Sequence, residues 1–191
     1  MKEKINIGEI IKIGVILFLI TALAAALLAF VNGKTAPLIE KNSLEKEQNA
    51  MLSVMPDAAK FEEVEITDGE ASKAYTALDS DGNVIGACII TETTGYDVGI
   101  QTVTGVDADL KVTGIDIIAM NETPGLGAKA AEEDFRSQYI GKSGTIGVSK
   151  SASSDTDIQA ISGATKTSNG VTQGVNIALK TAEILLKGGN E

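Results

Sequence analysis

The sequence contains no histidine and only one cysteine among 191 residues. This chain therefore cannot by itself build the common zinc, haem or thiol-pair sites, nor a histidine-based catalytic triad or Cys–His dyad. The one cysteine, Cys88, lies in the alternating segment NVIGACIITE, residues 83–92. Because a lone cysteine in a strand pattern is typically a small buried apolar residue, we predict a packing role for Cys88.

Positive charge is scarce outside the N-terminal region. The chain has 16 basic and 26 acidic residues, and its first 34 residues hold four lysines and two glutamates. The remaining residues thus carry 12 basic and 24 acidic side chains. Such a surface repels phosphate backbones and anionic lipid, so the composition argues against nucleic-acid binding.

One apolar run dominates the N-terminal region. Residues 13–31, IGVILFLITALAAALLAFV, are 19 positions without a charge or a strong helix breaker. As a helix they span roughly 28 Å, close to the hydrocarbon thickness of a bilayer. We predict a single transmembrane helix within residues 1–34. A signal peptide, whose apolar region is usually shorter, and a buried core helix are the alternatives.

The lysines around this run predict its orientation. Three lysines and the amino terminus precede the run, whereas Lys34 and Lys41 follow it. Because positive flanks stay on the cytoplasmic side, we expect a cytoplasmic N-terminus. The body of the protein, residues 35–191, is then expected outside the cytoplasm.

The rest of the chain predicts an α+β fold with an antiparallel sheet and flanking helices. A short helix before Pro56 is expected, either separate or continuing the membrane helix as a stalk. Alternating Val-, Ile- and Thr-rich segments predict two hairpins, over 73–93 and 98–120, the first turning at Asp81 and Gly82. We expect a stalk and linker over 35–70 and a folded domain over 71–191.

Two helices complete the predicted domain. AKAAEEDFRSQYI, residues 128–140, is one, and residues 169–187 form the other. The last helix has one apolar stripe, made of Val171, Val175, Ala178, Leu179, Ala182 and Leu186.

The first unusual motif is NETPGLGAKA, residues 121–130, which joins the second hairpin to a helix. Pro124 and Gly125 suit the central positions of a type II turn. Gly127 permits a backbone geometry or a close approach that a side chain would block. Taken by itself, the motif is more typical of an ordinary strand-to-helix connection.

The second motif is SGATKTS, residues 162–168, which precedes the last apolar stripe. Thr167 or Ser168 is expected to cap the final helix. A helix start with small neighbours is also a good anion site, because its backbone N–H groups are open and its dipole favours negative charge.

Together with the N-terminal span and the chain length, ETPGLG and SGATKTS resemble the FMN-binding-domain family, and most of all its Rnf-type G subunits. The resemblance implies an extracytoplasmic FMN-binding domain in which the phosphate of FMN is esterified to Thr165. It also implies that the attachment loop and the surroundings of the isoalloxazine ring are formed by Ser162, Gly163 and Ala164, and by Glu122, Thr123, Gly125 and Leu126.

The same resemblance implies a function and partners. The chain would relay electrons inside an ion-translocating ferredoxin:NAD oxidoreductase complex, beside other membrane subunits including D, A and E, after a flavin transferase has attached the FMN. Two positions depart from the family pattern, since Gln159 stands where an acidic residue is common and GYDV, residues 95–98, replaces a glycine-rich GYGG. The alternatives are a C subunit of a sodium-pumping NADH:quinone oxidoreductase and a cofactor-free anchored interaction subunit.

Overall fold

The computed structural model describes residues 7–66, 70–151 and 154–188. The chain divides into two compact units, Met1–Glu45 and Lys46–Glu191. The first unit contains most of a long helix, α1 (Ile7–Val54). The second contains the end of α1 and all of the remaining helices and strands in the described ranges.

The N-terminal part of α1 carries the apolar run that predicts a membrane span. Its large apolar side chains are exposed, with Phe18 at 68% and Leu28 at 71%. In the described part of the chain α1 is the one helix long and apolar enough to cross a bilayer, and its apolar window is entirely unburied. A lipid-facing helix has this property, whereas the core helix of a soluble domain buries its apolar face.

The structure joins the two predicted N-terminal helices into one. Helix α1 continues through Pro37 and ends at Val54, two residues before Pro56. Proline lacks a backbone N–H and disfavours helical geometry in the residue before it, which accounts for the end of α1. Of the two predicted alternatives, the one that continues the membrane helix is confirmed.

Five antiparallel strands form the main sheet in the order β1–β2–β3–β4–β5. Both predicted hairpins are confirmed as β2/β3 and β4/β5. The edge strand β1 was not predicted, because KFEEV carries three charges in five positions. The strands are β1 (Lys60–Val64), β2 (Lys73–Leu78), β3 (Val84–Thr94), β4 (Val98–Asp107) and β5 (Val112–Ala119).

Alternate residues of β3 face two separate apolar clusters. Ile89 packs in the larger cluster with the final helix, α3 (Thr165–Lys187). Cys88 and Ile90 point the other way and pack with the end of α1. The sheet is thus covered on both faces inside the second unit, and the predicted α+β class is confirmed.

Cys88 has the packing role that its sequence pattern predicts. It is fully buried, and its Sγ lies 3.9 Å from Sδ of Met55. Burial disfavours the thiolate and raises the pKa of the thiol to about 12.

The predicted helix over 128–140 is wrong as a single element. The structure has a 3₁₀ turn at Gly127–Ala131, a short helix α2 (Glu133–Arg136) and a second 3₁₀ turn at Ser137–Tyr139. The extended backbone of Glu132, with φ −74° and ψ 147°, interrupts the helix. A small parallel pair that was not predicted follows, with β6 at Gly147–Ser149 and β7 at Asp157–Gln159.

Helix α3 begins at Thr165, four residues before its predicted start. The expected cap at Thr167 or Ser168 is therefore wrong, since both residues lie inside the first turn and Ala164 occupies the N-cap position without a side-chain bond. The Ser168 hydroxyl instead accepts the backbone N–H of Ile161 from within the helix. The predicted stripe is confirmed, with Leu186 only partly buried.

Glycines bring α3 unusually close to β3. A Cβ added to Gly170 would lie 2.7 Å from the carbonyl oxygen of Thr94 and 3.0 Å from Cα of Gly95. Both neighbours are backbone atoms that cannot move aside cheaply. The Thr93 hydroxyl also donates a 2.9 Å hydrogen bond to the carbonyl of Gly170. These contacts fix the start of α3 against the end of β3.

The raised pKa of Cys88 predicts slow alkylation of the native protein. Its thiolate becomes the main form only as pH rises through about 12, whereas an unfolded cysteine ionises near pH 8.5. At pH 8 we expect iodoacetamide to label the unfolded chain readily and the native full-length chain slowly, as measured by mass spectrometry. Equal labelling rates would contradict the buried position.

The close approach at Gly170 predicts that Gly170→Ala destabilises the domain. Alanine gains about 1 kcal/mol of helix propensity over glycine, but overpacking against fixed backbone costs about 1–3 kcal/mol. We therefore expect a lower Tm for the full-length chain in detergent, measured by circular dichroism. Asn169→Ala changes the neighbouring exposed residue and is the control, which should leave Tm unchanged or raise it slightly. A higher Tm for Gly170→Ala would contradict the packing.

Candidate functional site

Three segments of the second unit enclose a cleft of about 510 Å³. They are the loop after β3, the turn that follows β5, and the residues that lead into α3. This volume lies in the range typical of small-molecule and cofactor sites. The residues that line it are Tyr96, Glu122, Thr123, Leu126, Gly127, Gly163, Ala164, Thr165, Lys166 and Thr167.

The ETPGLG motif forms the predicted turn at one wall of the cleft. The N–H of Leu126 donates to the carbonyl of Thr123 at 3.1 Å, and Gly125 has a φ of +77°. A positive φ at this position is what a type II turn after proline requires, and glycine adopts it without steric cost. The turn leaves Leu126 45% exposed at the cleft.

The Glu122 carboxylate is the polar centre of the cleft wall. Its side chain is 8% exposed. Oε1 accepts the backbone N–H of Tyr96 at 2.9 Å and that of Asp97 at 3.4 Å. Oε2 accepts the hydroxyl of Thr167 at 2.9 Å. These donors join the loop after β3 to the first turn of α3, and they stabilise a buried negative charge.

Two glycines make room for this carboxylate. A Cβ on Gly95 would overlap Oε1 of Glu122, and one on Gly127 would overlap Oε2. The close approach expected of Gly127 is thus confirmed, and its cause is the glutamate beside it. Gly163, with a φ of +79°, turns the chain into α3. A Cβ added to Gly163 would lie 3.2 Å from Cδ2 of Leu126.

The first turn of α3 contains three hydroxyls in different surroundings. Thr167 is 1% exposed and bonded to Glu122. Ser168 is buried, accepts the N–H of Ile161 at 3.0 Å and donates to the carbonyl of Ala164 at 3.1 Å. Thr165 is exposed on the cleft. Of these three residues, Thr165 is the one that is exposed to a group entering the cleft.

The cleft also contains a cationic and an aromatic side chain, which lie next to each other. Nζ of Lys166 lies 5.9 Å from the ring centroid of Tyr96, whose side chain is 75% exposed. The first backbone N–H groups of α3 lack partners within the helix, as at any helix start, and the positive end of the helix dipole lies there. The site thus offers positive charge to an anion and a flat face to an aromatic ring.

The structure brings together most of the residues named from the sequence. Six of the eight predicted site residues line the cleft, and the remaining two, Ser162 and Gly125, are each adjacent in sequence to a lining residue. Sequence reasoning did not give Thr167 its place in the cleft, because its contact with Glu122 joins residues 45 positions apart. Lys166 and Tyr96 carried a weak signal, the first as a cation beside Thr165.

Two family models match this chain, one over the region that contains the cleft and one over the N-terminal region. Residues 95–180 match the family model described as the FMN-binding domain, and residues 1–54 match the one described as the RnfG N-terminal region. The fold is similar to that of Shewanella oneidensis NqrC, with a TM-score of 0.52 and 18% identity over 71% of this chain and 74% of that chain. At that identity the likeness concerns the fold.

The sequence relatives match most of the chain, from 76% to 97% of its length. One is the G subunit of the Na(+)-translocating ferredoxin:NAD(+) oxidoreductase complex of Acetobacterium woodii, 39% identical over 97% of this chain and 99% of the relative. Another is the G subunit of the proton-translocating ferredoxin:NAD(+) oxidoreductase complex of Clostridium ljungdahlii, 33% identical over 76% of this chain and 77% of the relative. The chain therefore belongs to the family of G subunits of Rnf-type ion-translocating oxidoreductase complexes, and it carries an FMN-binding domain.

Proposed function

We propose that this chain relays electrons through FMN esterified to Thr165, as a subunit of an Rnf-type membrane complex. The observation that carries this proposal is that Thr165 is exposed at a helix start, on a cleft that lies wholly within the region matched by the FMN-binding domain. Bound FMN would supply the redox chemistry, because the chain has no histidine and its one cysteine is buried.

The phosphate end of FMN fits the start of α3. Open backbone N–H groups, the positive end of the helix dipole and the Lys166 ammonium favour an anion there. Gly163 and Ala164 precede Thr165 and add no bulky side chain of their own to this part of the cleft. A phosphodiester at Thr165 would retain one negative charge, which these groups offset.

Apolar surface for the ring of FMN lies beside the start of α3, close to Lys166 and Gly163. Leu126 and the Tyr96 ring are exposed there and offer apolar surface to an isoalloxazine ring. Thr123 and the turn at Pro124 and Gly125 place polar backbone groups beside that surface. The family pattern assigns the ring to Glu122, Thr123, Gly125 and Leu126, and the shape of this cleft supports that assignment.

Attachment requires an activated flavin donor, which a separate flavin transferase would present. We propose a flavin dinucleotide as the donor. The Thr165 oxygen attacks the phosphorus on the flavin side of the pyrophosphate, the bond to the bridging oxygen breaks, and the second nucleotide leaves as its monophosphate. The hydroxyl proton passes to a base of the transferase or to solvent. Thr165 is thus an acceptor, and this chain has no histidine to activate it.

The partners follow from the family. We propose that the chain assembles with the other membrane subunits of an Rnf complex, including D, A and E, because an electron relay needs a donor and an acceptor within reach of the flavin. Residues 1–34 would anchor it in the membrane, with the N-terminus in the cytoplasm and the flavin domain outside. The lysines that precede the apolar run support this orientation.

The attachment proposal is tested by intact mass. The full-length chain, produced together with a flavin transferase, should gain the mass of one FMN residue, and the nearly isosteric Thr165→Val should abolish this gain. Thr145→Val, which changes an exposed threonine outside the cleft in the same way, is the control and should keep the gain. In-gel fluorescence of the denatured protein should follow the same pattern. A wild-type chain of unmodified mass would contradict the proposal.

The orientation is tested by protease protection. In sealed right-side-out membrane vesicles the residues beyond 45 should be digested by an added protease, since they would face the medium. In inverted vesicles the same residues should be protected. Protection in right-side-out vesicles and digestion in inverted ones would reverse the assignment.

A further inference from the structure

The first turn of α3 contains two threonines, and the proposed attachment uses only one of them. Thr165 and Thr167 are chemically identical, stand two positions apart, and both line the cleft. Small-residue spacing around a helix start does not by itself distinguish them. Their surroundings differ, however, because Thr167 is engaged by a buried carboxylate and Thr165 is exposed.

Glu122 acts on two walls of the cleft at once. One carboxylate oxygen accepts from the backbone of Tyr96, and the other accepts from the Thr167 hydroxyl at 2.9 Å. The glycines at 95 and 127 enclose it so closely that neither position has room for a Cβ. The carboxylate therefore has little freedom, and together with the contacts of Gly170 it holds the Tyr96 loop against the first turn of α3.

We propose that Glu122 is the positioning residue of the attachment site, which seats the first turn of α3 so that Thr165, and not Thr167, accepts the flavin phosphate. This inference rests on the proposed function. Glu122 itself need not touch the reacting atoms, since it acts through Thr167 and through the loop at Tyr96.

Charge and geometry both act in this direction. A phosphodiester on Thr167 would place a second negative charge within hydrogen-bond distance of the Glu122 carboxylate, which like-charge repulsion disfavours. Thr165 lines the part of the cleft next to Lys166 and is free of this contact. Because group transfer depends steeply on the placement of the acceptor oxygen, loss of the hydrogen bond between Glu122 and Thr167 should slow attachment.

The test compares variants that remove the hydrogen bond between Glu122 and Thr167 with variants that retain a donor or an acceptor for it. Glu122→Ala removes both contacts, and Thr167→Val removes the hydroxyl donor while keeping the shape of the side chain. Glu122→Gln keeps a carbonyl acceptor, and Thr167→Ser keeps the hydroxyl. Each full-length variant is incubated with transferase and FAD. The rate of attachment is measured by in-gel fluorescence, and the attachment site is mapped by peptide mass spectrometry.

We expect the wild type and Thr167→Ser to carry flavin at Thr165 at rates within about threefold of each other. Glu122→Gln keeps one acceptor oxygen but loses the charge, so its rate should lie between those of the wild type and Glu122→Ala. Glu122→Ala and Thr167→Val should be slower by roughly tenfold or more, through a lower kcat rather than a higher KM for FAD. Flavin found on Thr167 in Glu122→Ala would also support the selection.

Two controls separate positioning from simple destabilisation. Val175→Ala removes apolar packing from the buried stripe of α3, and it should lower Tm without slowing attachment. Glu132→Ala removes an exposed carboxylate and should change neither quantity. Equal rates for folded Glu122→Ala and the wild type, with flavin only at Thr165, would overturn the inference. If Glu122→Ala does not fold, equal rates for Thr167→Val and Thr167→Ser would do so.

The outcome also distinguishes this inference from the proposed function. A wild-type chain that takes up no flavin contradicts the proposed function itself. If the wild type, Glu122→Ala and Thr167→Val are all labelled equally fast at Thr165, the proposed function stands and the positioning role of Glu122 is contradicted.

Discussion

The hydrogen bonds of the buried Glu122 carboxylate hold the cleft together. A carboxylate that is 8% exposed stays in a folded domain only if donors replace the water it has lost. Here the donors come from the loop after β3 and from the first turn of α3. The hydrogen bonds that stabilise this charge therefore also link two segments that are distant in sequence.

The glycines of the site follow from this link and from the packing of α3. Gly95 and Gly127 leave room for the carboxylate, and Gly170 lets the helix backbone approach the carbonyl of Thr94. A helix held this close to a strand has little freedom to tilt or slide, because its neighbours are backbone atoms. The position of Thr165 is thus set by the sheet, through Gly170, as much as by the local motif.

Local patterns predicted the strongly periodic parts of the fold, namely both hairpins and the apolar stripe of α3. The edge strand β1 was missed because its charges break the alternation, and the helix at 128–140 was overpredicted because helix-forming residues mask the extended Glu132. At the site, the two motifs and the family resemblance indicated which segments would meet. The contact from Glu122 to Thr167 spans 45 positions and leaves no local signal. The start of α3 was placed late because no side-chain cap marks it.

The charge distribution explains why an ester would suit this chain. Residues 35–191 carry 12 basic and 24 acidic side chains, so the summed field of the domain repels a free phosphate dianion. Lys166 and the helix start attract it at short range, and salt screens both this attraction and the repulsion beyond about 10 Å. A non-covalent site of this kind loses its ligand whenever the free concentration falls below Kd. A covalent bond at Thr165 would keep the flavin in place independently of that field, and it would let the domain remain acidic.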